Sequence, residues 1–188
     1  NPYWIGEVLQ DPVALGYVLE ATGPVRTPDG TVMDGSNAAR LLLNEIYLDK
    51  NRTLGEQDEF FGDAAEAAFD KLMDGSPSVS AGLGALRRAA SEGRWLVWSS
   101  DPREQDVLSG TAVSGEMAGE RDGAPVIGVY LNDASATKMS YYLDYTVTVE
   151  RSACLADGVR QLTVGMDITS TAPAEAAGYP PYLSGKGQ

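Results

Sequence analysis

The sequence predicts an α/β to α+β fold in which four or five helices pack on a mixed sheet extended by a C-terminal antiparallel β-hairpin. Three observations carry that prediction. The first 110 residues hold helical segments opened by capping residues and closed by glycines. Residues 95–99 form a short apolar run between turn residues. Beyond residue 125 apolar and polar residues alternate, the period of a half-buried strand.

Asp11-Pro12 opens the first helix, because a carboxylate caps free amides and proline at the first helical position gives up no hydrogen bond. Leu15, Val18 and Leu19 form its core stripe, and Gly23-Pro24 ends it. Residues 27–31 read as a tight turn. Ser36 or Asn37 then caps a helix to about Asp49 with Leu41, Leu42 and Ile46 inward. A third helix over 56–74 places Phe61, Ala65, Ala68 and Leu72 on its buried face and Glu59, Asp63, Glu66 and Asp70 on its solvated one. Ser76-Pro77 starts a fourth helix, closed by Gly93, and the strand 95–99 follows. Asp101-Pro102 with Glu104 resembles a capping box for a short helix to Leu108.

The later chain reads as strands at 126–131, 141–149 and 161–170, with Asp157-Gly158 turning the last pair, and as an extended tail from Thr171 onward. By parts, residues 1–110 are mainly helical, 111–124 form a flexible loop, and 125–188 are β-rich and compact with the first part. The sheet is expected to contain both 95–99 and 126–131. With 43% hydrophobic and 22% charged residues, 188 residues suffice for a core.

Composition removes whole classes of function. Fourteen basic against 27 acidic residues give a net charge of −13, which repels phosphate backbones, so nucleic acid is not an expected partner. The chain has no histidine, which eliminates a Ser-His-Asp triad, a Cys-His pair and imidazole metal ligands. Cys154 is the only cysteine; it forms no intrachain disulfide or cysteine zinc site and reads as a buried small hydrophobe. No cofactor and no metal are expected. No stretch approaches the roughly 20 apolar residues of a membrane span.

The motifs that suggest chemistry fall short of it. Ser135-Ala136-Thr137-Lys138 matches S-x-x-K without its companion motifs. Asp49-x-Asn51-x-Thr53 begins like a calcium loop but puts Leu54 where the glycine belongs and Phe60 where the bidentate glutamate belongs. Gly82-Leu83-Gly84 lacks a preceding strand and a third glycine, so it reads as a helix-packing feature.

Asp11-Pro12-Val13-Ala14-Leu15 with Thr22-Gly23-Pro24-Val25, then Leu96-Val97-Trp98-Ser99-Ser100-Asp101-Pro102, are followed by Gly128-Val129-Tyr130-Leu131-Asn132-Asp133-Ala134 and Lys138-Met139-x-Tyr141-Tyr142-Leu143-Asp144. With Thr171-Ala172-Pro173 and Pro180-Pro181-Tyr182, this series resembles a bacterial cell-envelope family, domain-of-unknown-function family 4012, over about residues 11–185. The resemblance implies a fragment of a membrane-anchored parent protein, facing the extracellular side of the membrane, typically actinobacterial, with no activity attached. A second likeness, to the LytR-CpsA-Psr phosphotransferases, rests on Gly23-Pro24-Val25 after a helix. Where that family carries several arginines, residues 44–61 offer only Arg52 and Gln57.

Two functions follow as expectations. One is a non-catalytic envelope domain that binds a cell-wall glycan or an envelope protein, with Asn132, Asp133, Lys138, Tyr141 and Tyr142 as its ligand-binding candidates, polar and aromatic groups gathered on one loop. The other is a lipid-linked glycopolymer phosphotransferase that gathers Arg40, Arg52, Arg87, Arg88 or Arg94 around a metal-bound pyrophosphate. It requires at least two guanidiniums to converge in a pocket with an acidic metal ligand.

Overall fold

The structure, a computed structural model, describes residues 6–73, 79–116, 120–121, 124–134, 137–156 and 158–185. The class is α+β, with four two-stranded antiparallel sheets among the described residues. The chain divides into two compact units, Asn1–Val126 and Ile127–Gln188.

In the first unit, β1 (Gly6–Gln10) pairs antiparallel with β4 (Trp95–Ser99), from Gly6 opposite Ser99 to Gln10 opposite Trp95. Helix α1 (Pro12–Thr22) starts as the sequence predicts: the Asp11 carboxylate accepts the Ala14 amide at 2.8 Å, and Gly23 closes the helix at φ 94°. Leu15, Val18 and Leu19 are buried, each contributing about 2 kcal/mol of transfer free energy. Strands β2 (Val25–Arg26) and β3 (Val32–Met33) flank a turn in which Thr27 and Thr31 are hydrogen-bonded and Gly30 adopts φ 90°.

The next helix departs in detail. Its N-terminus is held by Asp34, whose carboxylate accepts from the Ser36 and Asn37 amides, while neither Ser36 nor Asn37 supplies a side-chain cap to the helix. Helices α2 (Ala38–Arg40) and α3 (Ile46–Leu48) are joined by a π-helical turn over Leu41–Glu45, with the Ile46 amide reaching back to the Leu41 carbonyl. Helix α4 (Leu54–Met73) opens on a reciprocal Thr53–Glu56 capping box. Its buried stripe is Gln57, Phe60, Ala64 and Ala68. The predicted stripe through Phe61 and Ala65 is therefore rotated by one residue; with Leu72 those side chains line an apolar groove against Leu15, Val18 and Trp95.

Helix α5 (Val79–Ser91) is followed by Gly93 at φ 70°. The predicted Ser76-Pro77 start lies outside the described residues. Gly82 packs against Leu72 and Thr22 so closely that a Cβ would sit 2.4 Å from Leu72 Cδ1, as the packing reading expects, whereas a Cβ at Gly84 would meet open space. Helix α6 (Pro102–Leu108) is capped by Asp101, but Glu104 turns away from the box to accept from the Ser99 hydroxyl. Short strands β5 (Glu120–Arg121) and β6 (Ala124–Pro125) close the unit. The core gathers Leu15, Leu19, Val25, Met33, Leu42, Ile46 and Phe60.

In the second unit, a 3-10 turn (Met139–Tyr142) leads into β7 (Leu143–Cys154), which pairs with β8 (Arg160–Ser170). The C-terminal hairpin is thus present, with Gly158 at φ 82° in its turn; Asp157 lies outside the described residues. Three expectations fail. Residues 126–131 form no strand, because among the described residues none pairs with their backbone; the partner of 95–99 is β1 instead. The tail is not simply extended but folds into a 3-10 turn (Ala174–Gly178) and α7 (Pro181–Ser184), anchored by buried Ala176 and Leu183. Cys154, expected in the interior, is exposed because it ends β7 beside the hairpin turn.

Candidate functional site

The β7–β8 ladder sorts its side chains by face. Leu143, Tyr145, Val147 and Val149 stand opposite Ser170, Ile168, Met166 and Val164. The alternate positions carry Asp144, Thr146 and Thr148 opposite Thr169, Asp167 and Gly165. A bulge between Val149 and Arg151 inserts Glu150, whose carboxylate lies over Gly165 on the polar face. One face is therefore apolar and uncharged over seven large side chains. That face is not covered: Tyr145 is 54% exposed, Val149 56% and Ile168 51%. A two-stranded hairpin alone is at best marginally stable in water, so an uncovered apolar face of this length is a surface waiting for a second layer.

At the base of the hairpin, residues 129–134 face this same surface across a cavity of about 790 Å³. Tyr130, Asn132, Asp133, Ser140, Tyr145 and Ile168 line it. Of the five candidates from the sequence, Asn132 and Asp133 reach the cavity, where Asp133 accepts from the Thr137 hydroxyl at 2.7 Å. Lys138 is exposed beside it; its backbone amide donates to the Leu183 carbonyl. Tyr142 is buried and acts as a pin: its ring meets Tyr141 edge-on at 5.0 Å, and its carbonyl accepts from the Thr171 amide and hydroxyl. The hydrogen bond between the Tyr142 and Tyr179 hydroxyls pushes the Tyr179 pKa up to about 12. Ser135 of the S-x-x-K pattern lies outside the described residues.

The arginines of the first unit meet carboxylates. Arg40 pairs with Glu45, and Arg52 with Asp29 and Asp49 while lying over the Phe60 ring. Asp49 thereby closes the calcium-like segment as a turn. Arg88 and Arg94 do converge, but on Glu92, at 3.2 and 3.1 Å. Arg94 also holds Asp11 at 2.7 Å, Arg88 stacks 3.7 Å from the Tyr17 ring centroid, and the Tyr17 hydroxyl donates to Glu92. That hydrogen bond, followed by those from the two arginines, lowers the Glu92 pKa. Arg87 is exposed on α5. A pyrophosphate at Arg88 and Arg94 would have to displace carboxylates already in place.

Residues 6–47 match the model of the family described as protein of unknown function (DUF4012). It is the family that the sequence resembles. No curated protein and no solved structure matches the chain. The likeness to LytR-CpsA-Psr phosphotransferases gains no support from these comparisons.

The DUF4012 match covers β1, α1, the β2–β3 turn and the π-interrupted helix, which together supply Leu15, Leu19, Val25, Met33, Leu42 and Ile46 to the core. What it recognises is thus the scaffold of the first unit, and the apolar hairpin lies outside the matched stretch. On α4 the acidic row stays on the outer side, with Glu59, Glu66 and Asp70 exposed. Among the described residues, no group of three or more Cys, Asp or Glu side chains could hold a metal ion, and no helix is long and apolar enough to cross a membrane.

The apolar face could have been found from the sequence, since its alternation is plain. Its exposure could not, because alternation says only that two faces differ.

Proposed function

We propose that this chain is a non-catalytic extracytoplasmic recognition domain that binds a protein partner through the apolar face of the β7–β8 hairpin. The observation that carries the reading is the row of seven exposed apolar side chains without a charge among them. Of the two ligand classes expected, this surface favours protein over glycan, because a sugar needs a dense set of hydrogen-bonding groups and this face offers few. The phosphotransferase alternative loses its motivation when Arg40, Arg52, Arg88 and Arg94 are already neutralised by carboxylates. The extracytoplasmic setting comes from the family resemblance.

The test places a photo-crosslinking amino acid at Val147, on the apolar face, or at Thr148, on the polar one, in cells that produce the protein. A discrete protein adduct from position 147 and little from 148 is the expected result. Equal labelling from both positions, or an adduct with glycan only, would overturn the reading.

A further inference from the structure

Resting on that reading, we infer that the partner is a second copy of this chain, packed hairpin to hairpin across the apolar face. The area fits. Leu143, Tyr145, Val147, Val149, Val164, Met166 and Ile168 are between 37% and 56% exposed, which amounts to roughly 600 Å² of surface, already at the upper end of the largest apolar patch on an ordinary monomer. Val129, Tyr130 and Leu131 face part of this surface across the cavity and are not counted in that area. Two such faces packed together bury about 1,200 Å² in total, the lower end of the range for a specific interface.

Charge points the same way. The second unit carries 4 basic and 6 acidic residues, net −2, whereas the first carries 10 and 21, net −11. Two copies that repel each other as whole molecules therefore repel least where the apolar face lies. The face is also self-complementary in the way that a two-fold interface demands, since every residue in it is content to meet its own kind. Two twisted hairpins stacked about 10 Å apart form a four-stranded sandwich, which gives each the second layer it lacks. Asp144, Glu150, Arg151 and Asp167 stay on the outer faces, and Arg160 marks the end of the apolar face beside the hairpin turn.

Sedimentation equilibrium of the purified chain tests this over about 1–200 μM, the range in which an interface of this size is expected to show itself. The expected result is a mass rising from one chain to two and stopping there, with the rise shifted to lower concentration by added salt, which screens the net repulsion. Val147→Lys with Met166→Lys should hold the chain monomeric, while Thr148→Lys should leave the dimer intact. Because two buried lysines could also unfold the hairpin, Val147→Thr with Val164→Thr serves as a second variant: it keeps strand propensity and weakens the dimer by removing apolar surface alone.

A chain that remains monomeric at the highest concentration overturns the inference, as does a dimer indifferent to both apolar-face variants. Growth beyond two chains overturns it as well, since that is the mark of strand edges pairing rather than faces packing. A monomeric chain that still crosslinks from position 147 to a different protein refutes the second copy but leaves the recognition reading in place. A monomer with no face-dependent adduct sinks both.

Discussion

Asp29 sits at the tip of the β2–β3 turn, where burial alone would raise its pKa. Hydrogen bonds from Arg52, Thr27 and Thr31 outweigh that and hold the carboxyl well below the usual carboxylate range. The folded pKa therefore lies below the unfolded one. The stabilisation is complete above about pH 4, where an unfolded aspartate is ionised, and is lost as pH falls from there toward the folded value. Asp29→Asn should cost about 1 kcal/mol at pH 7, given that the pair is partly exposed. Urea midpoints measured from pH 7 down to pH 2.5 should show the gap between wild type and variant narrowing with acidity; a constant gap would mean that the ion pair contributes nothing. The sequence shows Asp29 as a turn residue and Arg52 as a possible phosphate ligand. Neither reading contains the contact, because the residues are 23 positions apart and only the folded turn brings them together. The ligand-binding candidates fared similarly: their clustering on one loop was visible, and so was the chance that the tyrosines pack, but not the partners that hold Tyr142, which lie 29 and 37 positions away at Thr171 and Tyr179.

Elements whose signals are local were legible, and elements defined by a distant partner were not. Asp11-Pro12, Asp101-Pro102, Gly23 and Gly93 mark helix ends because capping is settled within four residues. Strand β1 went unread because its partner β4 is some 85 residues away and no turn announces it. Residues 126–131 were read as a strand from propensity alone, which measures fit to a pleated surface and cannot supply one. Helix α4 was placed on the wrong edge of its stripe because Phe60 and Phe61 are both apolar and the polar Gln57 is buried. Close approach between elements is equally invisible in a sequence. Gly35 meets α1 so tightly that a Cβ would lie 2.7 Å from Glu20 Cβ and 2.9 Å from its Cα. The backbone of a helix cannot swing aside, so Gly35→Ala should destabilise by about 1–3 kcal/mol through overpacking. At Gly165 the obstacle is the end of the Glu150 side chain, which is free to rotate into water, so Gly165→Ala should be far milder. Chemical denaturation of the two variants decides this; equal costs would show that Gly35 is not a contact point.

At the scale of the molecule, the two units differ in what holds them together. The first closes on its own core, with Leu19, Met33, Ala38 and Ala64 almost wholly buried. The second has Tyr142, Ala176 and Leu183 inside and leaves the long ladder of β7 and β8 open to water on both faces. If a second copy covers the apolar face, the stability of that ladder is linked to protein concentration by mass action, whereas the core of the first unit is not. Hydrogen exchange separates the two, because it reads local opening residue by residue. Amides hydrogen-bonded across the Tyr145–Ile168 and Val147–Met166 region should become more protected as the concentration is raised from about 1 to 100 μM, in proportion to the dimer formed. Those of α1, α4 and α5 should not change. Protection of β7 and β8 that is strong and independent of concentration would mean that the hairpin needs no second copy as its second layer, and the self-association inference would fall with it.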